Sequence, residues 1–207
     1  MSATAVLSHI LAHTPAETQD EDATGERIVA AALQLFSDFG LRRTSMEDVA
    51  RRAGVGRATI YRRFADKDEL VKAAMLDEGL RFLEAIRNAT ASIQDREEAL
   101  VAGFTMMVMN AAAHPLVKRM LASEPETILP YLTTNAGALL DITRAYFRDA
   151  LAEEVQRGFV IKGNLDDMAE LIARLLQSLL LTPSTWLPLD DEAGLRRFGR
   201  DILRHFL

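Results

Sequence analysis

The chain has 207 residues, 49% of them apolar, with a net charge of −6. That is enough apolar material for a buried core and too much for a wholly disordered chain. It has no cysteine, which excludes disulfides and thiol redox sensing.

Ala, Leu, Glu and Arg dominate and aromatics are few, a mix that favours helices. Residues 1–23 are weakly patterned and read as a mobile N-terminal arm. From Glu26 a helical period places Ile28, Ala32, Leu35, Phe36 and Phe39 on one face, and Gly40 ends it. Thr44-x-x-Glu47 reads as a capping box opening a short helix, with Val49, Ala50 and Ala53 inward. Gly54-Val55-Gly56 forms a tight turn, and a further short helix runs from Arg57 to Phe64. Asp66-x-x-Glu69 caps a longer helix reaching about Ala89.

Beyond it, one helix is predicted over Arg96–Ala112 and the next begins at Pro115; Pro125 and Pro130 bracket a break. A long helix then runs to Gly158. Asn164 caps another, with Asp166 and Asp167 favourable beside the helix dipole, and Thr182-Pro183 ends it. The last helix runs from about Asp191 to the C-terminus, with Leu195, Phe198, Ile202 and Phe206 in one stripe. The expected fold is all-α with about nine helices.

Charge is concentrated in one place. Between Leu41 and Phe64 lie seven arginines and two acids, a net +5, so the rest of the chain carries −11. A basic patch on an acidic protein can be a footprint for phosphates, a merely solvated face being the alternative. Two short helices joined by Gly54-Val55-Gly56 have the dimensions of a helix-turn-helix. Gly54 can take the left-handed conformation, Val55 can plug the space between the helices, and Gly56 lets the second helix start sharply. That second helix is too short to hold alone. It presents Arg57, Thr59, Tyr61, Arg62 and Arg63. Arginine reads guanine bidentately, and tyrosine or threonine hydroxyls grip phosphates.

At these residues the sequence resembles the tetracycline-repressor (TetR) family. The match is Thr44-Ser45-Met46-Glu47-Asp48-Val49-Ala50, Ala53-Gly54-Val55, then Thr59-Ile60-Tyr61-x-x-Phe64-x-x-Lys67-x-x-Leu70, preceded by Phe36-x-x-Phe39-Gly40. It covers about 50 residues, Glu26 to Ala74; the remainder matches only in helical rhythm. The resemblance implies a DNA-binding head (24–70) on a larger helical domain (71–207) that dimerises and holds an inducer. It implies that Arg57, Ala58 and Thr59 face bases, that Tyr61 and Arg63 contact phosphates or flanking groups, and that Thr44, Ser45 and Lys67 contact the backbone. Arg62 joins this DNA-binding set from its place on the recognition helix. Position 63, often histidine in the family, is arginine here.

In the second part, Phe104, Met106, Met107 and Met109 form a soft, adaptable cluster. With Met120, Tyr131, Tyr146 and Phe147 they are candidates to line an apolar pocket, ordinary core packing being the alternative. Arg144 and Gln177 are its candidate polar anchors, and Asn135 is a third. The effector-binding set is thus Phe104, Met107, Met120, Tyr131, Arg144, Phe147 and Gln177. Leu171, Leu175, Leu179, Phe198 and Ile202 are apolar at helical spacing and predict a homodimer interface of four helices. Leu171–Leu181, the richest apolar stretch, is broken by Arg174 and Gln177 and is too short to span a membrane. No basic segment followed by an apolar run opens the chain, so no signal peptide is expected and a cytoplasmic location is. Four scattered histidines give no metal site, and no nucleophile elbow, phosphate loop or paired carboxylate points to catalysis or a cofactor. The expected protein is a repressor of double-stranded operator DNA released by a small, largely apolar effector. The alternatives are the same head controlled by a protein partner, or a helical enzyme.

Overall fold

Short polar residues cap the start of four helices. Ser45 accepts from Asp48 N–H and the Asp48 carboxylate accepts from Ser45 N–H, a reciprocal cap. Asp66 accepts from Glu69 N–H at 2.9 Å, Asp95 from Glu98 N–H at 3.0 Å, and Asn164 from Asp166 N–H at 2.7 Å. The computed structural model describes the backbone of residues 18–158, 160, 163–182, 186 and 189–206, and side chains between 23 and 202 in that set except at 112. Among the described residues there are ten helices and no strand. They are α1 (Thr18–Phe39), α2 (Met46–Ala53), α3 (Arg57–Arg63), α4 (Lys67–Thr90), α5 (Arg96–Ala113), α6 (Pro115–Ser123), α7 (Pro125–Leu132), α8 (Gly137–Gln156), α9 (Leu165–Leu181) and α10 (Glu192–Phe206).

Four local expectations are corrected. Helix α1 already starts at Thr18, so residues 18–23 of the expected arm are helical, while 1–17 lie outside the described residues. The cap of α2 is Ser45 with Asp48 in place of Thr44 with Glu47, because the Thr44 hydroxyl is turned inward. Pro125 and Pro130 bracket no break: Pro125 opens α7, where its missing N–H has no helical partner to lose, and Pro130 lies inside that helix. Phe39, expected on the buried face of α1, is 56% exposed.

The chain divides into two compact units. The first holds the described residues up to Leu80 together with Arg119–Tyr131; the second holds Arg81–Lys118 and the described residues from Leu132 onward. In the first, α1 packs on α2 and α2 on α3, and Ile28, Ala32, Val49, Ile60, Phe64 and Leu70 are all but inaccessible. In the second, α9 packs on α8 and α5, and α10 on α5. Its core joins Leu83, Ile86, Phe104, Met107, Val108, Leu176, Leu179, Leu189 and Leu195. The close approach of α10 to α5 depends on Gly199, where a Cβ would stand 2.9 Å from the Phe104 ring. The same two helices are tied at the surface by Arg196 and Arg200, which both donate to Glu98.

Candidate nucleic-acid interface

The turn from α2 to α3 is built by the backbone. Gly54 takes φ +67, its N–H bonds the Arg51 carbonyl, and Val55 N–H bonds the Ala50 carbonyl at 2.9 Å. This double closure ends α2 with its last carbonyls satisfied and needs a residue free of Cβ strain at position 54. Arg27 of α1 adds a guanidinium bond to the Ala53 carbonyl at 2.7 Å, where the negative end of the α2 dipole lies. Its partner is 26 residues away, so no local motif marks it. Gly56 then caps α3 in extended conformation.

α3 is seven residues long and is fixed by Ile60 and Phe64, both buried. Opposite them, Arg57, Ala58, Tyr61 and Arg62 are exposed, and Thr59 and Arg63 are half-buried. The Arg57 side chain is 74% exposed and lies 3.3 Å from Glu47 Oε1 on α2, with its guanidinium carbon 5.5 Å from the centre of the Tyr61 ring. The Tyr61 hydroxyl donates to the same Glu47 oxygen at 3.3 Å. Arg63 is drawn back against α1: a Cβ at Gly25 would stand 3.0 Å from its Nε.

The other members of the expected DNA-binding set divide. Ser45 is exposed, with its hydroxyl donating to Asp48 at 2.6 Å. The Thr44 side chain is not presented: Thr44 is 3% exposed and its hydroxyl donates to the Gly40 carbonyl at 2.8 Å. Lys67 is half-buried and donates one ammonium proton to the Leu41 carbonyl. Desolvation pushes its pKa below the usual lysine value, opposed by the Glu124 carboxylate. Of the remaining arginines, Arg51 pairs with Asp48, and Arg52 donates to the Gln34 side chain at 3.0 Å.

The expected effector set is not brought together in one unit. Phe104, Met107, Phe147, Arg144 and Gln177 belong to the second unit, Met120 and Tyr131 to the first. Met120 is 1% exposed, and the Tyr131 hydroxyl donates to Asp68 at 2.6 Å; burial, and then this bond, raises its pKa well above the usual phenol value. Arg144 lies among Asp141, Asp166 and Glu170, a solvent-facing ion cluster and no anchor in an apolar site. Gln177 Nε2 donates to the Leu132 carbonyl at 2.8 Å. Phe104 and Met107 are buried in the core, with Phe147 packed against it and set edge-on to Tyr146. Of the expected dimer residues, Leu171 is 51% exposed, and Leu175, Phe198 and Ile202 are half-buried. Leu179 is turned into the core of its own chain, so it offers little to a second copy.

One cluster went unmarked in the sequence pattern. Glu124, between α6 and α7, is buried and accepts from Arg42 N–H at 3.0 Å, while its other oxygen fills the space that a Cβ at position 40 would need. Arg119 donates to the Ser37 and Asp38 carbonyls at the end of α1. The partners are about 80 residues apart, so periodicity carries no trace of them.

No single helix among the described residues is long and apolar enough to cross a membrane, and they hold no group of three His, Cys, Asp or Glu suited to a metal. Two family models match the sequence: bacterial regulatory proteins of the tetR family over residues 28–74, and the bacterial tetracyclin repressor C-terminal domain over residues 95–192. An uncharacterised HTH-type transcriptional regulator of Mycobacterium tuberculosis is 28% identical over 163 residues, 79% of this chain and 83% of that one. The HTH-type transcriptional regulator AlkX of the same species is 32% identical over 111 residues, 52% of this chain and 51% of that one. Among solved structures, the TetR family repressor AlkX from Dietzia sp., implicated in biodegradation of n-alkanes, superposes with a TM-score of 0.68 at 25% identity, covering 88% of this chain and 97% of that one.

Proposed function

This chain belongs to the TetR family of bacterial regulatory proteins, and from that premise we propose that it is a repressor whose grip on its operator is loosened by a small, largely apolar effector. It is a helix-turn-helix transcriptional regulator that, like the family, binds operator DNA and acts as a dimer. α3 enters the major groove in this reading, Arg57 reads a base edge, and Ser45, Tyr61, Arg62 and the remaining ammonium protons of Lys67 meet phosphates. The observation that carries it is the exposed Arg57–Tyr61–Arg62 edge on a short helix locked by Ile60, Phe64 and the Gly54 turn. Arg57→Ala is expected to cost about 1–3 kcal/mol and to relax preference at one position per half-site. The check is binding to a duplex selected by the protein from a random library, and to its single-base variants. Equal weakening on every sequence overturns the assignment of Arg57 as reader.

The effector reading rests on the second unit alone. Phe104, Met107 and Phe147 supply adaptable apolar surface, and Gln177, whose amide nitrogen donates to the Leu132 carbonyl, is the polar group proposed to orient a ligand. The Dietzia repressor is implicated in biodegradation of n-alkanes, and hydrocarbons are the ligand class that suits these apolar side chains. An effector that prefers the form unable to bind DNA lowers operator affinity by the ratio of its two affinities. Medium-chain n-alkanes and the matching alcohols are the probes: one of them is expected to raise Tm and release the selected duplex. Met107→Trp is expected to remove that response and leave duplex affinity unchanged; an unchanged response places the effector elsewhere.

A further inference from the structure

Of the two acids in the basic stretch between Leu41 and Phe64, Asp48 is spent on the cap of α2 and on Arg51. Glu47 has a different use. A single oxygen, Oε1, meets Arg57 Nη2 at 3.3 Å and the Tyr61 hydroxyl at 3.3 Å, while the Arg57 guanidinium lies over the Tyr61 ring. We propose that Glu47 is a specificity-determining positioning residue: it fixes the pose in which Arg57 reads its base and penalises complexes in which Arg57 finds none. The inference rests on the reading of Arg57 as the base reader.

Exposed ion pairs add little stability, so an acid on a DNA-facing surface needs a reason other than folding. A guanidinium has five N–H donors in a fixed fork, and a guanine takes two of them. The edge held by Glu47 stays bonded while the other edge reads, so the side chain enters the groove with part of its rotamer freedom already removed. Stacking on Tyr61 restricts the same plane from its face. On a noncognate site the balance reverses. Arg57 gains no base contact there, and the Glu47 charge meets DNA phosphates with nothing gained in return, which is how like charge suppresses wrong partners.

The experiment uses the full-length protein, the selected duplex, its single-base variants and a random duplex, each at two salt concentrations. The proteins are wild type, E47Q, E47D, R57A and the E47Q/R57A double variant. E47Q is expected to tighten binding to the random duplex and to cut discrimination at the position that R57A relaxes by about fivefold or more, the low end of what one arginine–guanine pair supplies. E47D keeps the charge but, one methylene shorter, cannot hold both partners, so it is expected to lose discrimination with less gain on random DNA. In the R57A background E47Q is expected to remove no further base preference. Discrimination unchanged in E47Q, or E47D behaving as wild type, overturns the positioning role while leaving Arg57 as reader. An R57A that relaxes no position overturns the reader assignment, and this inference with it.

Discussion

Glu47 and Glu124 stand in the same compact unit, each within reach of an arginine-rich segment, yet the Glu47 side chain is 44% exposed and Glu124 is 8% exposed. Glu47 meets side chains of α3, an ion pair with Arg57 and a hydrogen bond from Tyr61, on an exposed edge. Glu124 bonds backbone, the Arg42 N–H, in a corner that only glycine at position 40 leaves open. Water competes for the first carboxylate and not for the second. One is therefore suited to biasing a choice between sequences, and the other to holding the loop from α1 to α2 in one shape. The contrast also explains the placing of 119–131 with the head. That segment carries Arg119 and Glu124, which together close the end of α1 and the loop beyond it.

The comparison is tested most severely at Gly40. Its φ is +86, and a Cβ there would overlap the Glu124 carboxylate. Gly40→Ala adds backbone strain of about 1–3 kcal/mol to about 1–3 kcal/mol for a displaced buried acceptor. Urea denaturation is expected to show a loss in the upper part of that combined range. A loss below about 1 kcal/mol means that the corner yields and that Glu124 is no fixed strut. Next in size is Glu124→Ala, which leaves Arg42 N–H without its partner and is expected to cost about 1–3 kcal/mol. At Glu47 the same truncation is expected to leave the denaturation midpoint nearly unmoved. Equal losses at the two glutamates would erase the distinction between them.

The helix-turn-helix was legible because its determinants are local. Gly54 and Gly56 act within a turn of their own position, as do the Asp66–Glu69 pair and the Asn164 cap at helix starts elsewhere in the chain. Even so, adjacent Thr44 and Ser45 are both capping types, and the sequence carries no sign that burial takes Thr44 and leaves the cap to Ser45. In the second half the contacts that place side chains have a longer range. Met120 and Tyr131 have the apolar character of a pocket lining, but Arg119, Glu124 and Tyr131 bond groups 63 to 82 residues upstream and carry the segment into the first unit. Leu171 and Leu179 have the same spacing logic on α9, yet a helix that packs on two neighbours buries more than one stripe, and Leu179 falls inside.

The smallest expected effect concerns the cap that orients Glu47 itself. Asp48 is the residue after Glu47, and its carboxylate accepts from the Ser45 hydroxyl and the Ser45 N–H and meets Arg51. The Ser45 hydroxyl, then its N–H, then Arg51 hold the Asp48 pKa below the usual carboxylate value. A group whose pKa is lower folded than unfolded stabilises the fold above the unfolded value, and that stability drains away as pH falls through the folded value. Asp48→Asn cannot titrate, so it lacks this component at every pH. The wild type is therefore expected to exceed Asp48→Asn in urea midpoint at about pH 6, with the gap narrowing as pH falls toward about 3. A gap constant over that range would mean that the cap works through shape and not through charge. In that case Glu47 would owe its orientation to the backbone of α2 alone, and Asp48→Asn would leave the Arg57 base preference untouched.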